Sequence, residues 1–94
     1  MSIFAVTYSY GGPTEVLAQH RPEHRAYLRE LAGRGVVLAS GPFTDGGPDG
    51  ALLLVSADDA QQVRALLAED PLMIHGAITE HAVREWNVTN GSVG

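Results

Sequence analysis

Residues 36–55, VVLASGPFTDGGPDGALLLV, decide the fold. Val36-Val37-Leu38-Ala39-Ser40 is a continuous apolar run stopped by Gly41-Pro42-Phe43, and Ala51-Leu52-Leu53-Leu54-Val55 is a second such run. Between them, Thr44 to Gly50 carries two Asp-Gly dipeptides and a proline, the turn chemistry of a hairpin loop. Two strands joined in this way predict an antiparallel pair.

On either side of the hairpin the pattern changes to a helical period. Upstream, Tyr27, Leu28 and Leu31 form an apolar stripe, with Arg25 and Arg29 on the solvent side and Glu30 placed to support Arg34. Pro22 suits the first turn of a fresh helix, so the reading is a helix from Pro22 to about Arg34, separate from a short helical stretch after Thr14 and closed by Gly33 and Gly35. Before that, Ile3 to Tyr10 alternate in the manner of a strand, ended by Gly11-Gly12-Pro13. Downstream, Ser56 to Asp59 has the form of a capping box, and Ala60, Val63, Leu66 and Leu67 continue it as a helix over about Asp58 to Ala68. Asp70-Pro71 then opens a short turn with Gly76 as its stop, and Ala77 to Val88 reads as a last strand whose imperfect alternation predicts a bulge. Residues 1–88 form one domain in this reading, and the polar, glycine-rich residues 89–94 form a flexible tail.

The order β-α-β-β-α-β predicts an α+β fold, the ferredoxin-like split β-α-β-β-α-β, with one antiparallel sheet and both helices on one face. Phe4, Val6, Tyr8 and the Leu52 to Leu54 run are expected to make the other face apolar. A chain of 94 residues without cysteine buries only about 60–65% of the surface its unfolded form exposes. Two such sheets packed face to face would supply the missing core, so a homodimer, a dimeric α+β barrel, or a higher oligomer is the expectation.

Composition narrows the chemistry. All six basic residues are arginine, and the chain contains neither lysine nor cysteine. That excludes a disulfide, a thiolate nucleophile, Cys-ligated metal, a Schiff base and a P-loop amine. The net charge of -5 argues against nucleic acid as a partner, which calls for a basic stripe. No apolar segment nears the roughly 20 residues of a membrane span, and Met1-Ser2-Ile3-Phe4 does not begin a signal peptide, so a cytoplasmic protein without a membrane partner is expected. Histidine and carboxylate remain as the tools for catalysis.

His24 lies four residues before Leu28 and seven before Leu31, which puts it on the inward stripe. Asp70 ends the second helix, and with both helices on one face of the sheet a contact with His24 is feasible. A carboxylate on one imidazole nitrogen would fix the tautomer and leave the other nitrogen free to take or give a proton. A plainer account fits the same residues: a satisfied core histidine, and an aspartate that caps the turn ahead of its proline. His20 and His24 are four apart, but Pro22 stands between them and no third ligand is in position, so no metal site is expected. His75 and His81 read as surface residues. Arg21, at a helix start, suits an anionic substrate or plain solvation. Ser40, Gly41 and Pro42 offer a hydroxyl and a backbone amide to a ligand, or simply end a strand.

The segments His20 to Leu28, Gly35 to Phe43, Glu69-Asp70-Pro71-Leu72 and Val83 to Trp86 together resemble the YCII-related (YciI-like) family of small dimeric α+β barrel proteins. The resemblance spans nearly the whole chain and rests on Arg-Pro-x-His-x-x-Tyr-Leu, Gly-Pro-Phe and Asp-Pro in that order. It implies a pocket between helix and sheet, with His24 and Asp70 at the positions of the family's acid/base pair. Leu72 and Met73 depart from the aromatic and small residues common after the family's Asp-Pro. Relatives of this barrel type include muconolactone isomerases and a dehydrochlorinase, which implies a cofactor-free lyase or isomerase acting on a small anionic cyclic substrate. Arg21, Ser40, Gly41 and Pro42 would bind that substrate. A non-catalytic small-molecule-binding or accessory domain and a cofactor-independent oxygenase are the alternatives.

Overall fold

A computed structural model describes residues 1–93. Its elements are β1 (Ser2–Tyr10), α1 (Thr14–Gly33), β2 (Val37–Pro42), β3 (Gly50–Ala57), α2 (Ala60–Ala68), α3 (Pro71–Ile74) and β4 (Ile78–Trp86). The strands form one antiparallel sheet in the order β2-β3-β1-β4. This is the ferredoxin-like α+β arrangement, with the hairpin of residues 36–55 as β2 and β3. Residues 87–93 carry neither helix nor strand, and Gly94, the end of the expected flexible tail 89–94, lies outside the described residues. No helix is long and apolar enough to cross a membrane among the described residues.

The expected break at Pro22 does not occur, and α1 runs through it as one helix of 20 residues. Proline's fixed φ is compatible with a helix, and what it removes is one backbone bond, at a cost of roughly 3 kcal/mol. Against that stands a stripe running the length of the helix: Leu28 and Leu31 are buried and Leu17 packs on the same core. Each such side chain contributes about 1.5–3 kcal/mol when fully buried, so a continuous helix prevails over a local breaker. Its end is set by Gly35, whose φ of 76° lets Val36 N–H reach the Leu31 carbonyl at 2.9 Å and Gly35 N–H the Ala32 carbonyl at 3.1 Å. Gly76, at φ 75°, closes α3 with the same pair of bonds, from Ala77 to Leu72 and from Gly76 to Met73.

The faces of β1 are the reverse of the expectation. Phe4, Val6 and Tyr8 lie under the helices, in one core with Leu53, Val55, Leu31, Val63, Leu67 and Leu72. The opposite face carries Ile3, Ala5 and Thr7, paired across the sheet with Ser56, Leu54 and Leu52. The Leu52 to Leu54 run is thus divided, with Leu53 inward and its neighbours outward. A strand has period two, so the larger side chains of β1 fill the thicker helix layer and the smaller ones take the open face. The expected bulge is present: Ser9 pairs with Glu80 but Tyr10 pairs with Ile78, which leaves Thr79 as the extra residue. A second irregularity, at Leu38 in β2, has no counterpart in the sequence reading. The N-cap of α2 is Asp59, later than the box at Ser56: its carboxylate accepts from Gln62 N–H at 2.8 Å, and the Gln62 side chain accepts from Asp58 N–H at 2.8 Å.

Candidate active site

The centre of the site is a carboxylate with no exposed surface. Asp70 is 0% exposed and His24 6%. Helix α1 presents His24 from its inward stripe, while Asp70 is the N-cap of α3, with Pro71 supplying the first helical residue. The Asp70 carboxylate accepts from Leu72 N–H at 3.0 Å, which is the capping bond, and from His24 Nδ1, 2.8 Å from each oxygen. Capping and pairing with histidine, set apart as alternatives by the sequence, are therefore performed by one carboxylate. A third donor comes from β1, where the Tyr8 hydroxyl lies 3.2 Å from Asp70 Oδ2. A buried carboxylate costs several kcal/mol unless it is paired and hydrogen-bonded, and three donors from three elements meet that need.

The geometry assigns the histidine tautomer. An ionised carboxylate only accepts, so the proton of a neutral His24 ring sits on Nδ1 and the lone pair on Nε2. Nε2 has no hydrogen-bond partner among the described residues, yet no buried side-chain nitrogen or oxygen there lacks one. Nε2 is accordingly reachable from outside, and His24 lines a cavity of about 430 Å³ between α1 and the β2–β3 side of the sheet. Tyr8 is held neutral, its ionisation pushed far up first by burial and then by the Asp70 charge. It stays a donor.

Ser40, Gly41 and Pro42 line the wall opposite α1, at the end of β2, and Arg21 lines the α1 side with His24. Leu28, Ala51 and Leu53 add an apolar floor. All six residues singled out from the sequence thus gather here, Asp70 behind His24 and the rest around the opening. Three further residues join them. Arg25 and Arg29, read from the sequence as solvent-facing, are exposed but border the same cavity. Tyr10 also lines it. Burial raises the Tyr10 ionisation, the Asp70 charge adds to this, and Arg21 and Arg25 oppose it. Tyr8 and Tyr10 could have been found only through their parity on β1, which puts both on the face of Phe4 and Val6.

The other histidines lie apart. His75 and His81 are exposed. His20 stacks on His75, with ring centroids 3.5 Å apart and planes 4° from parallel, and its Nδ1 is 3.3 Å from Glu23 Oε2. The potential donor atoms of these three residues fall within 4.8 Å of one another. An imidazole binds a metal in its own ring plane, and two parallel stacked planes do not converge on one ion, so the rings would have to turn to hold a metal.

The chain shares its fold with the 5-chloro-2-hydroxyhydroquinone dehydrochlorinase TftG of Burkholderia phenoliruptrix AC1100, solved in complex with 2,5-dihydroxybenzoquinone. That match has a TM-score of 0.78 and 20% identity, and covers 90% of this chain and 93% of the dehydrochlorinase. An antibiotic biosynthesis monooxygenase superimposes with a TM-score of 0.57 at 14% identity, over 94% of this chain and 99% of its own. No curated protein matches the sequence. The model of the YCII-related domain matches residues 3–87, and the chain belongs to that family.

Proposed function

We propose that the protein is a cofactor-free acid/base enzyme, a lyase or isomerase acting on a small anionic cyclic substrate. The observation that carries this reading is the free Nε2 of His24, open to a cavity, on a ring held at 2.8 Å by a sealed carboxylate. Nε2 takes a proton from a carbon beside a carbonyl or from a ring hydroxyl, and Asp70 stabilises the imidazolium that forms. In an elimination, the electron pair released makes the new double bond and a halide departs with its bonding pair. In an isomerisation, the same nitrogen returns the proton to a neighbouring carbon. Arg21 and the Tyr10 hydroxyl hold the substrate's anionic oxygen, and Ser40, Gly41 and Pro42 close the opposite wall. The fold shared with a dehydrochlorinase whose structure holds a dihydroxybenzoquinone supports an oxygen-rich ring as substrate.

The open sheet face supports a homodimer. Leu52 and Trp86 are 38% and 42% exposed there, beside Ile3, Ala5 and Leu54, and a second copy laid against them would complete a dimeric α+β barrel.

Chloride release from 5-chloro-2-hydroxyhydroquinone, followed with an ion-selective electrode, tests the function. The wild type should release chloride, and His24→Gln, which keeps a polar group near Asp70, should be slower by about 10²–10⁴-fold, the contribution of a positioned general base. Equal rates for the two proteins would overturn the mechanism. Binding without turnover would favour a ligand-binding domain, and dioxygen consumption would favour an oxygenase.

A further inference from the structure

Arg21, Arg25 and Arg29 recur every four residues along α1, and all three border the His24 cavity. In a chain of net charge -5, half of the six basic residues are gathered at one opening. Among the described residues none of the three forms an ion pair; the ion pairs present join His20 to Glu23 and His24 to Asp70. Each is followed or preceded by another arginine one turn away, an arrangement of like charges that weakens an isolated helix. Eleven acidic residues were available to neutralise them, and the fold places none in contact. The charges of Arg21 and Arg25 both reach the Tyr10 hydroxyl across the cavity.

One anionic group beside His24 accounts for Arg21. It does not account for Arg29, which stands two turns further along the helix, about 12 Å at 1.5 Å per residue. Between them the floor is apolar, formed by Leu28, Ala51 and Leu53. We propose that Arg25 and Arg29, one and two turns along α1 from Arg21, form a second anion subsite, and that the natural ligand is an elongated dianion with an apolar middle and carboxylate or phenolate ends. This rests on the reading of the cavity as the substrate site. Such a subsite would hold a non-reacting part of the substrate and orient the other end against Nε2.

Calorimetric titration with biphenyl-4,4′-dicarboxylate and biphenyl-4-carboxylate tests the subsite, because the two probes differ only in the distal charge. The wild type should bind the dicarboxylate about tenfold more tightly, the scale of one or two solvent-accessible charge pairs. In the double variant Arg25→Gln/Arg29→Gln that preference should vanish while the monocarboxylate still binds through Arg21. Both arginines are exposed, so the variant should fold, as far-UV circular dichroism would verify. Equal wild-type affinities, a preference that survives in the variant, or no binding of either probe would each overturn the proposal. His24→Gln separates the two claims: it should keep the dianion preference. A preserved preference in a wild type without turnover would sink the acid/base reading and leave the subsite standing.

Discussion

Replacing Tyr8 by phenylalanine removes one oxygen from the centre of the site and leaves its packing intact, so its consequences can be worked out from the geometry. At neutral pH the variant loses a hydrogen bond, 3.2 Å long, to a buried carboxylate. A bond to a charged group contributes about 1.5–3 kcal/mol; at this length the lower end applies, and Asp70 keeps His24 and Leu72 as donors, so a loss of about 1.5 kcal/mol is expected. For a domain of this size that lowers Tm by roughly 6–12 °C. Alkaline pH narrows the difference. Tyr8 keeps its proton in the folded state, because burial and Asp70 push its ionisation above the ordinary value of 10.0, whereas the unfolded chain releases it near that value. Above pH 10 the unfolded state therefore binds fewer protons than the native state, and wild-type stability falls as pH rises, by about 1.4 kcal/mol per unit from Tyr8 alone. Tyr10 and Tyr27, also shifted upward by burial, contribute in the same direction to both proteins. The phenyl ring of the variant has no proton to lose, so the gap between the variant and the wild type should close by about pH 11. Urea unfolding followed by circular dichroism from pH 7 to pH 11 measures both quantities. A variant as stable as wild type at pH 7, or a gap that stays constant to pH 11, would refute the assignment of Tyr8 as a neutral donor to Asp70.

Asp70→Asn should retain the cap on α3, since asparagine caps as well as aspartate, yet slow chloride release by about 10²–10⁴-fold, because the imidazolium loses its counter-charge; comparing turnover with Tm separates the two effects. Gly50→Ala should destabilise the sheet by about 1–3 kcal/mol, since a Cβ there would collide with the Tyr8 carbonyl, and an unchanged Tm would contradict this. Leu52→Glu places a charge on the open face, where sedimentation should show a dimer in the wild type and a monomer in the variant; two identical profiles would remove that face from the interface.

The hairpin of residues 36–55 was legible because its two apolar runs and its turn residues are local features, and local chemistry is what a single sequence shows. His24 was legible for the same reason, through its spacing to Leu28 and Leu31 on one helix. Pro22 misled because a breaker acts locally, whereas the stripe that overrides it gains its energy from the sheet packed against it. The parity of β1 could not be read, since Ile3 and Ala5 are apolar like Phe4 and Val6, and only the packed helix layer distinguishes the two sets. Tyr8 meets Asp70 across 62 positions of sequence, a separation at which no periodicity carries information. Arg25 and Arg29 look solvated on a helical wheel, and they are; their role follows from the end of β2, which stands opposite and turns exposed surface into a cavity wall.

The central claim is that Asp70 holds the His24 ring with its proton on Nδ1 and an unprotonated Nε2 facing the cavity. A long-range proton–nitrogen correlation spectrum of the ¹⁵N-labelled protein, recorded with the ring neutral, reads that tautomer directly. The structure predicts a protonated Nδ1 and a bare Nε2 for His24, with the pattern disturbed in Asp70→Asn. A proton on Nε2 in the wild type would contradict the account, because the nitrogen that faces the substrate would then be unable to act as a base.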